Sequence, residues 1–249
     1  RRCMITDIYG VTPVCDQADL VQHRLNVLKE DELTPLKPGW RTTVGGQVSG
    51  GTNNLRYFIS ADRLLDDGPY GIPNFDRKRF DTTGVRIRDN MEHTNTMDRK
   101  SVRANVNLAI APTLDVMVSS GLTLSDLTLP VQGNGASPWM QQYMFGYGYQ
   151  QGPGYTGVSA SGVRLYGYFG STPGISSQTF LNQTTNRYIG SITTTWRPLG
   201  WFTGTADVGM DLADQKDLAL EHAGEGTGGV VFGSTGNVVD MRVRHNNLS

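Results

Sequence analysis

No stretch of this chain approaches the ~18–20 consecutive apolar residues of a membrane-spanning helix, and the mean hydropathy is -0.35. That excludes a transmembrane helix. It leaves a transmembrane β-barrel open, because barrel strands dilute their lipid-facing side with lumen-facing residues. No charge of one sign dominates: 22 Lys and Arg stand against 23 Asp and Glu. A nucleic-acid partner therefore has no support from composition. Histidine is scarce, and His23, His93, His222 and His245 are scattered without ligand spacing. There is no G-x-x-x-x-G-K-[ST] and no G-x-S-x-G. No catalytic constellation, metal site or cofactor is expected, and an enzyme is not the expected class. Only two cysteines occur, Cys3 and Cys15. Their close spacing suits a disulfide in an oxidising compartment, with two free thiols as the alternative.

Glycine is abundant, at 31 of 249 residues, well above the usual ~7%. Glycine weakens helices and serves turns and sheet bends, which favours an all-β chain. Period-two alternation supports this. Val102, Ala104, Val106, Leu108 and Ile110 share one face of a segment whose other face carries Arg103, Asn105 and Asn107. After a three-residue link, Leu114, Val116, Val118, Leu122 and Leu124 oppose Asp115, Ser119 and Thr123. Each segment is a strand with one apolar and one polar face. Each is long enough for the ~9–11 residues of a tilted membrane strand. Strands are expected near 42–49, 55–65, 101–110, 114–125, 187–196, 201–212 and 238–244. In the last, Val239, Met241 and Val243 alternate with Asp240, Arg242 and Arg244.

The connections are sorted by length. Gly50–Asn54, Ala111–Thr113 and Arg197–Gly200 are short; roughly 66–100, 126–185 and 213–237 are long. In an antiparallel meander every second connection lies at the same end. One end thus carries tight turns and the other large loops, as in outer-membrane barrels. Trp196 and Trp201 flank one short turn, where an aromatic girdle would sit. The expected architecture is an antiparallel up-and-down meander forming part of a large transmembrane β-barrel with long external loops. Residues 42–249 are the partial barrel. Residues 1–41 are an external, irregular segment that a Cys3–Cys15 bond would staple. Seven strands are an odd number, whereas single-chain bacterial barrels use even numbers from about eight upward. The chain also begins Arg1-Arg2-Cys3 without a leader segment. Both features lead to the expectation of a fragment; a cytosolic protein with a cloned start is the alternative.

Recognition residues are sought in the loops and on the polar strand faces. The loop of 126–185 holds Trp139, Tyr143, Tyr147, Tyr149 and Tyr155, followed by Tyr166, Tyr168 and Phe169. Such rings suit stacking on sugars or gripping peptides, or packing on one another to hold the loop. Arg103, Asn105, Asn107, Asp115, Asp207, Asp211 and Arg242 are expected on the lumen side, where solute, water or an internal plug would meet them. The carboxylates Asp62, Asp66 and Asp67 beside Gly68, and likewise Asp211, Asp214 and Asp217, do not match the spacing of a calcium loop and read as solvated.

Gln47-Val48-Ser49-Gly50-Gly51, followed by Tyr57 and Ser60, resembles a hairpin of SusC/RagA-like TonB-dependent outer-membrane transporters. Gly68, the 76–79 region and Arg103-Ala104-Asn105-Val106 continue the likeness. Pro112-Thr113-Leu114-Asp115-Val116 and Trp196-Arg197-Pro198-Leu199 are similar to periplasmic turns of that family. The resemblance covers about Trp40 to Leu212. It implies a bacterial outer-membrane location and a 22-stranded parent barrel around a plug. It also implies TonB and a SusD-like surface lipoprotein as partners, and import of an oligosaccharide or peptide. This stretch would supply barrel wall and capture loops. A passive porin-like channel and a soluble β-rich binding or adhesion module are the rival readings.

Overall fold

The computed structural model describes residues 26–131, 139–144, 162, 164–226 and 235–248. Seven antiparallel strands form one sheet in the order β1-β2-β3-β4-β5-β6-β7. They are β1 (Trp40–Gly51), β2 (Leu55–Asp67), β3 (Thr96–Ala111), β4 (Leu114–Leu129), β5 (Phe180–Leu199), β6 (Phe202–Glu221) and β7 (Asn237–Leu248). The chain is all-β, and its up-and-down meander is as expected. The sheet does not close: β1 and β7 are not neighbours. Among the described residues, short helices lie between strands: α1 (Asn74–Thr83), α2 (Asp89–Glu92), α3 (Trp139–Met144) and α4 (Pro173–Ser176).

The strands outrun the alternation that revealed them. β5 and β6 each run 20 residues. The extra length lies mainly at the long-connection end, where the alternation becomes irregular, as in Phe180–Asn186, while the hydrogen-bond ladder continues. Asp66 and Asp67 are consequently strand residues of β2, and Asp214 and Asp217 belong to β6, not to loops; Asp62 and Asp211 lie within the stretches of β2 and β6 expected as strand. At the other end β3 and β4 turn through Pro112 and Thr113. Pro198 lies inside β5, at a register shift between Trp196 and Leu199. The shift accommodates a residue with no amide to donate.

Register fixes which side chains share a face. One row joins Tyr57, Val106, Val118, Ile192 and Val208 across β2–β6. The next row joins Ile59, Ala104, Ser120, Gly190 and Met210, and the next Ala61, Val102, Leu122, Tyr188 and Leu212. This apolar face is open: Val208 is 61% exposed and Ile192 49%. From Tyr188 to Trp196 the band is as tall as the ~9–11 residues that cross a bilayer. Toward the long connections the same face turns charged. Arg63 donates to Asp98 at 2.9 Å, Arg242 to Asp214 at 2.7 Å, and Asn182 to Asp126 at 3.0 Å.

β7 departs from expectation. It pairs alongside the outer part of β6, from Glu221 to Met210. Met241 sits opposite Asp217, and Arg242 opposite Lys216. Its apolar residues thus join the polar face, and Arg242 joins the charged end of the apolar face instead of the lumen side. The cause is height: β7 runs mostly above the apolar band, where the polarity rule no longer holds.

The compact hydrophobic core is not in the sheet. Val27, Leu33, Phe75 and Tyr168 form one buried cluster, and Ile72, Phe80 and Met91 another. They are built from the long connections and, in the first cluster, from the segment before β1, which fold together into a cap at one end of the wall.

Candidate functional site

α1 organises the cap. Pro73 precedes the helix and Gly84 ends it in the left-handed region, at φ 71. These are local start and stop signals. Phe75 and Phe80 are buried in the two clusters, and Asp76 is fully buried. Asp76 accepts a hydrogen bond from Thr172 Oγ1 at 2.9 Å and from the Gly174 amide at 2.7 Å. Arg79 Nη2 lies 2.8 Å from Asp76 Oδ1. Burial pushes the Asp76 carboxyl up to about 6, against the opposing pull of Arg79 and the two hydrogen bonds. The same burial lowers the Arg79 guanidinium. Thus α1 is tied to α4, more than 90 residues away in the chain, by a buried carboxylate.

Other polar struts join the remaining connections. Arg88 forks onto Glu225 at 2.9 and 2.6 Å and also reaches the Gln178 carbonyl. The Gly226 amide donates to Gln178 Oε1 at 2.9 Å. Lys37 Nζ lies 3.0 Å from Asp67, which His93 Nδ1 also contacts at 2.8 Å. Three connections and the segment before β1 therefore form one body.

The aromatic residues divide. Tyr168 is wholly buried, and its hydroxyl donates to the Leu33 carbonyl at 2.7 Å. Burial raises its pKa far above the ordinary tyrosine value. Tyr166 packs on Phe75 with centroids 4.6 Å apart. Tyr143 is half-buried against the same cluster, and burial raises its pKa too. For these three, packing rather than open display sets the position. Trp139 lies on α3, but its side chain is outside the described residues, as are Tyr147, Tyr149, Tyr155, Cys3 and Cys15.

The polar face holds Arg103, Asn105 and Asp207, as expected, but it does not gather them. Arg103 shares a row with Ser60, Gly121, Ile189 and Asp211; Asp207 shares another with Arg56, Asn107, Met117 and Thr193. The second row borders an open recess of about 410 Å³ near the short turns, lined also by Asn53, Asn54 and Asp115. Beyond it, Arg187 donates to Asp211 at 2.9 Å, and Gln183 to Asp217 at 2.8 Å. These are cross-strand ties, which leave few free charges on β5 and β6.

A larger recess, about 590 Å³, opens on the cap between Glu30–Leu33, one side of α1, and Arg164–Tyr166. It escaped the sequence reading because its three walls are far apart in the chain. The Pro73 and Gly84 signals could have revealed α1; nothing local could have brought Arg164 to it. Among the described residues, no group of three or more His, Cys, Asp or Glu is placed to hold a metal ion, and no helix is long and apolar enough to cross a membrane. Neither a protein-family model nor a curated protein matches the chain.

Proposed function

We propose that this chain is a wall section of a SusC/RagA-like TonB-dependent importer in a bacterial outer membrane, taking up an oligosaccharide or peptide. One observation carries the reading. Five adjacent strands share an apolar face of about bilayer height, bounded by charge on the side where the long connections fold. A soluble sheet buries such a face under a second layer; here its residues are exposed. Lipid chains are the occupant whose dimensions match the band. The cap would then stand outside the membrane and capture cargo. The polar face would line the path, and transport would be non-covalent. TonB and a SusD-like lipoprotein enter through the family resemblance alone.

The test has two parts. Single cysteines at Ile192 and Thr193, labelled with an environment-sensitive dye in lipid vesicles, should behave oppositely. The label at 192 should be quenched by brominated lipid and the label at 193 by aqueous iodide. Equal iodide quenching at both, with a monomer stable without detergent, would favour a soluble binding module. In cells carrying the parent gene, uptake should stop when TonB is deleted. Uptake that continues without TonB identifies a passive channel.

A further inference from the structure

We propose that the recess on the cap binds an amino-carboxylate ligand, a short peptide with free ends, holding its carboxylate on Arg164 and its ammonium on Glu30. The volume, about 590 Å³, lies within the ~300–1,000 Å³ of small-ligand sites. Three separate chain segments converge on it, so the site exists only in the folded cap. Its floor is apolar: Leu33 and Phe75 are buried there, and the Tyr166 ring packs on Phe75.

Tyr166 is the one non-glycine with positive φ among the described residues, at 52°. A bulky residue in the left-handed region is strained, and such strain persists only where the surroundings enforce it. The strained backbone presents its ring at the recess wall, with the Arg164 guanidinium 5.8 Å from the ring centroid.

The charges select the ligand. Lys78 is paired with Glu32 at 2.8 Å, and Arg79 with Asp76. Among the described residues Arg164 has no carboxylate partner and Glu30 no cationic one. One uncommitted cation, one uncommitted anion and an apolar floor complement a zwitterion with an apolar body. A guanidinium recognises a carboxylate through paired donors. A neutral sugar would leave both charges unanswered, and a polyanion would meet Glu30.

Calling this ligand transport cargo rests on the proposed function; the binding itself does not. The probes are trileucine, its C-terminal amide, its N-acetyl form and maltotriose, titrated calorimetrically against the whole chain in detergent. Trileucine should bind saturably and maltotriose should not. Arg164→Ala should weaken trileucine about tenfold, the loss of one charge-assisted bond, yet leave the amide's already weaker binding unchanged. Glu30→Gln should do the same for the free peptide and spare the N-acetyl form. Both side chains are exposed, and retention of the near-ultraviolet dichroism of the cap aromatics checks folding. Trileucine binding that ignores both substitutions, or maltotriose binding in its place, overturns the inference. Peptide binding without TonB-dependent uptake overturns the transport reading instead. Uptake without peptide binding overturns only the site.

Discussion

At the scale of single residues, Asp76 is fully buried and held by Thr172, the Gly174 amide and Arg79. An ionised carboxylate without solvent is costly even when paired, and here the cost appears as a pKa raised from 3.8 to about 6. A folded value above the unfolded one contributes stability that is complete below pH 3.8 and is lost as pH rises through about 6. The cap should therefore loosen by roughly 1–2 kcal/mol between pH 5 and pH 7.5, read as faster amide exchange in α1. Asp76→Asn should flatten that dependence; loosening on acidification would contradict the assignment. Gly174 adds a steric constraint. A Cβ there would stand 2.6 Å from the Asp76 carboxylate. Gly174→Ala is expected to destabilise the cap by about 1–3 kcal/mol through overpacking, measurable as increased proteolysis of the 164–179 segment. Neither constraint was legible in the sequence, where Asp76 looks like one more charge in N-F-D-R-K-R-F.

At the scale of elements, the strands were legible where one face is consistently apolar and lost where the alternation breaks down. Leu114–Leu124 alternates and was read correctly; Phe180–Asn186 is part of the same ladder and shows no alternation. β7 shows the converse failure. Val239, Met241 and Val243 alternate well, yet pairing with the outer half of β6 turns them to the polar side. Period two reveals that two faces differ, not which face meets which neighbour. The apolar band provides its own test. If lipid covers it, Ile192→Arg should cost about 2–4 kcal/mol of folding stability in vesicles, whereas Thr193→Arg on the other face should cost far less. Denaturant titration in the bilayer would measure both. Similar losses for the two substitutions would argue that the apolar face is not lipid-covered.

At the scale of the whole molecule, two bodies of different construction meet. The wall is held by continuous backbone ladders between neighbouring strands. The cap is held by two small apolar clusters and a set of buried or half-buried polar ties. Cooperative units follow contact continuity. Hydrogen exchange in detergent is thus expected to separate them, with α1 and α4 opening at lower free energy than the centre of β4 and β5. A single exchange rate across both would show that cap and wall unfold together. The sorting of short and long connections was visible in the sequence. That the long ones share a core was not, because Arg88 meets Glu225 and Asp76 meets Thr172 across more than 90 residues.

The sequence by itself determined the strand count, the meander and the two-faced character of β2–β6. It did so because side-chain alternation and turn residues are local properties of the chain. Only the tertiary structure decided how high the apolar band reaches, which way β7 faces and how the cap assembles. It alone brings Glu30, Phe75, Arg164 and Tyr166 to one recess. These depend on register and on long-range contacts, whose ordering cost is repaid only when distant segments bury one another's apolar and polar groups together.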